Sequence, residues 1–298
     1  MDDLCIVIVN YNTRDLLRAC LRSVFASQGV GRLMVYVVDN ASPDGSAAMV
    51  RDEFPQARLI ANEQNLGYAA ANNLALRQSN ARYVLLLNPD TVLPRDALAQ
   101  AIAFMEAHPN AGVMGPKLVR PDGSLDLACR RSFPTPAVSC YRMLGLSQLF
   151  PRSRIFGRYN LTYLDPAVTT EVDSVVGAFM LARGLLLTQV GLLDEQFFMY
   201  AEDLDWCKRI KESINPCTGQ HWQVWYDASI TVLHVKRAAS ARSPRAQRAF
   251  NETMLQFYRK HYAATTPFWL DRLVVGGIAL RGLIARTQEW RARVSVSP

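Results

Sequence analysis

Apolar positions fall into two rhythms along the first 110 residues. Leu4 to Val9 is an unbroken apolar run, as expected of a strand covered on both faces of a parallel sheet. Asn10-Tyr11-Asn12 ends it, Thr13 is a good N-cap, and Leu17, Cys20, Leu21 and Val24 then recur at helical spacing, which predicts a helix to about Ser27. The alternation repeats with a strand at Met34 to Val38 and a short helix near Ser46 to Glu53. A strand follows at Arg58 to Ala61, then an Asn65-Leu66-Gly67 turn and a helix over Tyr68 to Gln78. A strand at Tyr83 to Leu87 leads to a helix that starts near Pro94 and ends near His108. This βαβαβαβ series predicts a parallel sheet with right-handed crossovers.

The second half is less regular. Ala111 to Val119 reads as a strand and Pro121-Asp122-Gly123-Ser124 as a hairpin turn. Cys129 to Pro166 has weak periodicity and reads as partly loop-like. Val172 to Leu181 reads as one buried strand, with Gly177 where a backbone comes close to a ligand. Trp222 to Val235 reads as two short strands broken at Asp227, the second ending at His234. A last helix, about Phe268 to Arg293, places Trp269, Leu270, Leu273, Ile278, Leu280, Leu283 and Ile284 on a broad apolar side, with Arg272, Arg286 and Arg293 opposite. Asp271, Arg272 and Arg281 make it a poor membrane span. The pattern suits either a helix lying on an anionic membrane surface or one packed on the core.

Composition narrows the class. The 298 residues are 50% apolar and 20% charged, which is globular. The six cysteines form no CxxC pair, so neither zinc nor a disulfide framework is indicated. The start, Met1-Asp2-Asp3-Leu4, lacks a basic n-region, which points to a cytosolic chain. Of the net charge of +7, residues 236 to 298 carry +9, from twelve Lys/Arg against three acids, leaving −2 for the rest. That argues for a catalytic body with a cationic flank and against an evenly basic nucleic-acid binder. The Lys236 to Arg248 stretch reads as a solvated loop, or as a lid that clamps a diphosphate.

Chemistry concentrates where strands end. Asn88-Pro89-Asp90 closes the Tyr83 to Leu87 strand, and strand carboxyl ends border the ligand crevice of an open α/β sheet. Asp90 can supply one hard oxygen to Mg²⁺ or Mn²⁺, although the tripeptide alone is an ordinary turn. Asp39, at the end of the second strand, can accept from a base N–H or a ribose hydroxyl; the plainer alternative is an Asx turn with Asn40. No G-x-G-x-x-G follows the first strand and no G-x-x-x-x-G-K-[ST] occurs, which disfavours a dinucleotide oxidoreductase and a P-loop NTPase. Glu202, Asp203 and Asp205 open a helix after Phe197-Phe198-Met199-Tyr200. They serve either the helix dipole, with Asp203 as N-cap, or as a general base on a sugar hydroxyl. His234 is a metal ligand, a phosphate contact or a structural histidine.

Taken together, IVIVNYN (6–12), VVDNAS (37–42), NLGYAAANN (65–73), LLLNPD (85–90) and YAEDLDWCKR (200–209) resemble the family-2 inverting glycosyltransferases in order and spacing over residues 4 to 236. The resemblance implies a GT-A fold, a Rossmann-like mostly parallel sheet flanked by helices. It divides the chain into a glycosyltransferase domain at 1–236, with a nucleotide-sugar half at 1–120 and an acceptor half at 121–236, and a basic, helical extension at 237–298. It implies a nucleotide-sugar donor, dTDP- or UDP-linked, and a divalent cation, Mg²⁺ or Mn²⁺, at Asp90 with His234. The nucleotide-sugar site would be lined by Asn10, Tyr11, Asn12, Asp39, Asn40, Asn65, Gly67, Asn73 and Asn88. Asp203 would be the base, with Glu202 and Asp205 as alternatives.

Many members carry Asp-x-Asp where this chain has Asn88-Pro89-Asp90, a form similar to a rhamnosyltransferase-like branch that builds bacterial surface polysaccharide. The lost carboxylate implies weaker cation binding. A glycan or polyprenyl-linked acceptor would place the protein at the inner face of the cell membrane. A non-catalytic nucleotide-sugar or glycan binder and a sugar nucleotidyltransferase are the competing classes, and the second normally needs a Gly-rich basic first turn that Asn10-Tyr11-Asn12 does not provide.

Overall fold

In a computed structural model that describes residues 3–235 and 244–279, nine strands join one sheet. The strands are β1 Leu4–Asn10, β2 Leu33–Asp39, β3 Arg58–Ala61, β4 Tyr83–Leu87, β5 Thr91–Val92, β6 Ala111–Val119, β7 Thr170–Val172, β8 Phe179–Arg183 and β9 Gln223–His234. The helices are α1 Arg14–Phe25, α2 Ser46–Glu53, α3 Tyr68–Leu76, α4 Ala97–Ala107, α5 Pro136–Met143, α6 Leu146–Leu149, α7 Leu186–Gln189, α8 Glu202–Glu212 and α9 Pro244–His261. Residues 268–279 form a further helix. The part of the 236–248 lid reading that covers 236–243, and the basic end of the last helix beyond 279, lie outside the described residues.

The sheet order is β3-β2-β1-β4-β8-β6-β9-β5, with β7 on β9. The first four strands run parallel, joined by α1, α2 and α3. β1 and β4 are buried along their whole length, which is why they read as unbroken apolar runs. In α1 the residues Leu17, Cys20, Leu21 and Val24 form the buried stripe that the spacing predicts. Thr13 takes the cap position, but its hydroxyl donates to Asn10 Oδ1 at 2.6 Å and accepts no helix N–H.

Beyond β4 the pairing mixes directions, with β8 antiparallel to β4 and β6 and with β9 parallel to β6. The segment expected as one strand over 172–181 is two, β7 and β8, because the 173–178 loop turns toward α8 and carries Gly177 with it. The two strands expected on either side of Asp227 are one, β9. The break is a bulge, where the register passes from Pro116↔Asp227 to Lys117↔Thr231. Within the region expected to be loop-like, α5 is capped by Thr135, which accepts from Val138 N at 3.3 Å, and starts on Pro136. Part of the stretch expected as a loop or lid is helical from Pro244 onward.

Candidate active site

The site forms where β1, β2 and β4 end and where β9 returns beside them. β5 follows directly on Asp90 and pairs with the end of β9, Thr91 opposite His234, and Val235 N donates to Asp90 O at 2.8 Å. Two residues 144 positions apart in sequence thus share one corner. His234 Nε2 lies 3.2 Å from Asp90 Oδ1, and its Nδ1 lies 2.9 Å from Asp126 Oδ2. Burial works against a charge on this imidazole, but the bond to Asp126 and the contact with Asp90 hold it up to about 9. Asp126 fixes the ring and leaves Nε2 turned to Asp90, the arrangement by which a ligating histidine is oriented. Sequence reasoning missed Asp126, which follows the Gly123 turn with no motif of its own.

Asp90 Oδ1 is buried yet, among the described residues, has no partner in hydrogen-bond geometry. An orphaned carboxylate oxygen beside an imidazole nitrogen is a donor pair that a divalent cation fits. Among the described residues no group of three or more His, Cys, Asp or Glu side chains converges to hold a metal. Asp126 is engaged on the far ring nitrogen, so the protein offers two ligands and the rest of a shell falls to phosphate oxygens and water.

The second half of the site is α8. Tyr200 (φ 73) and Ala201 (φ 66) are consecutive left-handed residues without being glycine, a strained entry of the kind that clusters at functional sites. Ala201, not Asp203, is the N-cap; the acids occupy the first turn. Asp203 is buried, and Arg131 Nη2 approaches its Oδ2 at 2.6 Å, where Gly177 N also donates at 3.3 Å. Among the described residues its Oδ1 accepts only Leu204 N, at 2.7 Å. Burial works against a charge on Arg131, which Asp203 nonetheless holds above the usual arginine range. Glu202 is also buried, and among the described residues its Oε2 has no hydrogen-bond partner. Burial, and then the charge of Asp203, push it up to about 8.

Asp205 is placed differently from its neighbours. Arg209, Lys260 and His261 surround it at 2.8, 2.7 and 2.7 Å. Despite full burial of its side chain, these partners bring its carboxyl down to about 2. It therefore clamps α9 to α8 and is no base, because both oxygens are held by cations.

Tyr68 links the two halves. Its hydroxyl donates to Gly177 O at 2.9 Å, the same residue whose N–H reaches Asp203. Burial, and then the charges of Glu202, Asp203 and Asp90, push this phenol well above the tyrosine range. Asp90 and the α8 acids thus act on one common atom. Gly67, just before Tyr68, has φ +84, and a Cβ there would stand 2.5 Å from Phe198 O. Only glycine lets α3 and the Phe197–Tyr200 segment meet at Tyr68 N, which donates to Phe198 O at 2.7 Å.

Three residues expected to line the nucleotide site have their side chains engaged by the protein. Asn10 donates to Asp39 and Ser42 and accepts from Thr13. Asn40 donates to Gly67 O and accepts from Asn62. Asn73 bonds Leu193 at both its amide atoms and also Glu195. Each of these amides therefore braces the site through bonds at both its nitrogen and its oxygen. Asp39 takes one bond on each oxygen, from Asn10 and Ser42 N, and so keeps a lone pair on each. Asn65 closes an Asx turn on Gly67 N at 2.9 Å. Tyr11 and Asn12 are exposed beyond the end of β1, and Asn12 is left-handed (φ 55). Asn88 lies next to Asp90, with its carbonyl bonded by Thr91.

A model of glycosyl transferase family 2 matches residues 5–163. The chain belongs to glycosyl transferase family 2. This glycosyltransferase is 28% identical over 316 residues to the N-acetylglucosaminyl-diphospho-decaprenol L-rhamnosyltransferase of Mycobacterium tuberculosis, a match that covers 98% of the chain and 96% of the relative. It is 30% identical over 154 residues to rhamnosyltransferase WbbL of Escherichia coli K12, covering 48% and 54% of the two chains. The mannosyltransferase PcManGT from Pyrobaculum calidifontis, solved with GDP-Man and Mn²⁺, superposes with TM-score 0.57 at 17% identity, covering 99% of this chain and 76% of that one. S. aureus TarS with UDP-GlcNAc gives 0.54 at 17%, covering 94% and 72%. The two structures establish the shared GT-A architecture. Among the described residues of this glycosyltransferase, no helix is long and apolar enough to cross a membrane.

Proposed function

We propose that the protein is an inverting sugar transferase that moves a deoxyhexose, rhamnose, from a nucleoside-diphosphate donor to a hydroxyl of a lipid-linked saccharide. The observation that carries this reading is the Asp90–His234 pair at the strand ends together with the buried Asp203, whose partner Gly177 also accepts from Tyr68, a phenol raised by burial and by the charges of Glu202, Asp203 and Asp90. The names of the two rhamnosyltransferase relatives support the sugar, and the decaprenol in one of them supports the lipid-linked acceptor.

Asp90 and His234 would hold a divalent cation, which when bound supplies charge that stabilises the leaving diphosphate. Asp39 accepts hydrogen bonds from the nucleoside through its spare lone pairs, while Asn10 and Asn40 keep it and the neighbouring loop in place. Arg131 and Gly177 hold Asp203 by one oxygen, which leaves Oδ1 with a free lone pair for the acceptor O–H. Asp203 removes that proton as the acceptor oxygen bonds to the anomeric carbon. The bond from that carbon to the diphosphate oxygen breaks with its electron pair, so the configuration inverts. Burial and the charge of Asp203 keep Glu202 protonated at neutral pH, leaving the base role to Asp203. The buried, pre-paired carboxylate needs little reorganisation in the transition state.

The test is incubation of the full chain with dTDP-rhamnose, a polyprenyl-diphosphate N-acetylglucosamine acceptor and Mn²⁺, with the product's anomeric configuration read by NMR. A product of anomeric configuration opposite to the donor supports the proposal. Retained configuration, or no transfer from any of a panel of nucleotide sugars, sinks it.

A further inference from the structure

We propose that the apolar cavity between α5, α9 and the 268–279 helix is a binding site for an isoprene unit of a polyprenyl-diphosphate acceptor. This rests on the lipid-linked acceptor proposed above. The cavity has a volume of about 120 Å³, and its wall includes Pro136, Cys140, Met143, Phe257, Leu273 and Val274. A dry apolar cavity of about 150 Å³ takes up benzene, so this one has room for roughly one five-carbon unit. The helix that closes it is seated closely: Tyr258 Oη donates to Asp271 at 2.9 Å, and a Cβ on Gly277 would come 2.6 Å from Met143 Cε.

Three observations select the occupant. The inner wall is continuous with the active site, because Phe257 belongs to the same apolar cluster as Phe197, Ala201 and Leu204, which flank Glu202 and Asp203 in sequence. The helices that bound the cavity also present large apolar side chains outward, with Phe268 73%, Trp269 64% and Leu273 66% exposed, and Leu144 at the end of α5 is 68% exposed. Such a surface meets lipid better than water. The bounding helices also carry cations: Arg142 on α5 lies 4.4 Å from the Tyr159 ring centre, and Arg272 on the 268–279 helix lies 4.9 Å from that of Phe268. Guanidinium groups on the helices that bound an apolar slot match a diphosphate joined to a hydrocarbon chain. A free saccharide acceptor would not match the apolar slot.

The two exposed cysteines provide a readout that needs no turnover. Cys140 lines the cavity and Cys217 lies elsewhere, while Cys5, Cys20, Cys129 and Cys207 are buried. Alkylation of each by N-ethylmaleimide is followed by mass spectrometry on the full chain with farnesyl diphosphate, inorganic diphosphate, or phosphatidylglycerol vesicles free of isoprenoid. At farnesyl diphosphate about ten times its dissociation constant, mass action slows modification of Cys140 roughly tenfold. Cys217 is unaffected, inorganic diphosphate does not protect, and Leu273→Asp, at an exposed position that does not threaten folding, removes the protection.

Equal rates with and without farnesyl diphosphate overturn the proposal. So does equal protection by the bare vesicles, which assigns the face to the bilayer surface, or protection that disappears on dilution of the protein, which assigns it to a second copy. Protection at Cys140 with no sugar transfer sinks only the transferase reading. Transfer without protection sinks only the cavity.

Discussion

Replacing Asp205 with Asn separates a structural acid from a catalytic one two residues away. The carboxyl drops from an ordinary 3.8 to about 2 in the fold. At about 1.36 kcal/mol per pH unit this shift amounts to roughly 2.5 kcal/mol of stability at neutral pH, undiminished by solvent because the side chain is fully buried. The sign is that of a lowered folded value: the contribution is fully present above 3.8 and is lost as pH falls through about 2. For a chain of this size the loss lowers the melting temperature by roughly 4 °C. Scanning calorimetry of Asp205→Asn and the parent from pH 7 down to pH 2 should show a gap that closes over the last two units. Transfer by the variant should persist below its melting point. A variant with parental stability but no turnover would refute the clamp and return Asp205 to the list of bases.

Two further substitutions probe the strained and desolvated parts of the site. Glu202→Gln should raise the melting temperature, because burial lifts the folded value from 4.5 to about 8 and the parent loses stability as pH rises across that window. The gain should be small at pH 5 and largest at pH 8 with transfer retained, and a difference independent of pH would contradict the assignment. Gly67→Ala should cost about 3 kcal/mol, since the conformation is essentially restricted to glycine and the new methyl would stand 2.5 Å from Phe198 O. Hydrogen exchange at the Tyr68 amide reports the opened contact, and unchanged protection there would argue against the close approach.

The parallel half of the sheet was legible because its signals are local. β4 and β6 run over the residues their apolar patterning predicts, and α1 buries the four residues its spacing selects. Asp90 could be singled out because a strand end in such a sheet is a position with a known role. Partners that arrive from afar gave no such signal. Asp126 reaches His234 across 108 residues and Arg131 reaches Asp203 across 72, and neither stands in a periodic segment. The β9 bulge read as a strand break because a bulge interrupts alternation just as a turn does. The three acids of α8 looked equivalent in sequence. Their divergence comes from what faces them: an arginine for Asp203, no partner among the described residues at one Glu202 oxygen, and Arg209, Lys260 and the His261 ring for Asp205.

The central claim is that residues 90 and 203 serve one donor and one acceptor in a single site with divided duties. Calorimetric titration of nucleotide sugar with and without Mn²⁺, paired with single-turnover transfer, tests it directly on Asp90→Asn and Asp203→Asn. The account predicts that Asp203→Asn binds donor with the parent's Mn²⁺ dependence yet transfers at least about a hundredfold more slowly, the scale of a lost general base. Asp90→Asn should lose the Mn²⁺-dependent part of donor binding. Parental turnover by Asp203→Asn, or undiminished Mn²⁺ dependence in Asp90→Asn, would contradict it.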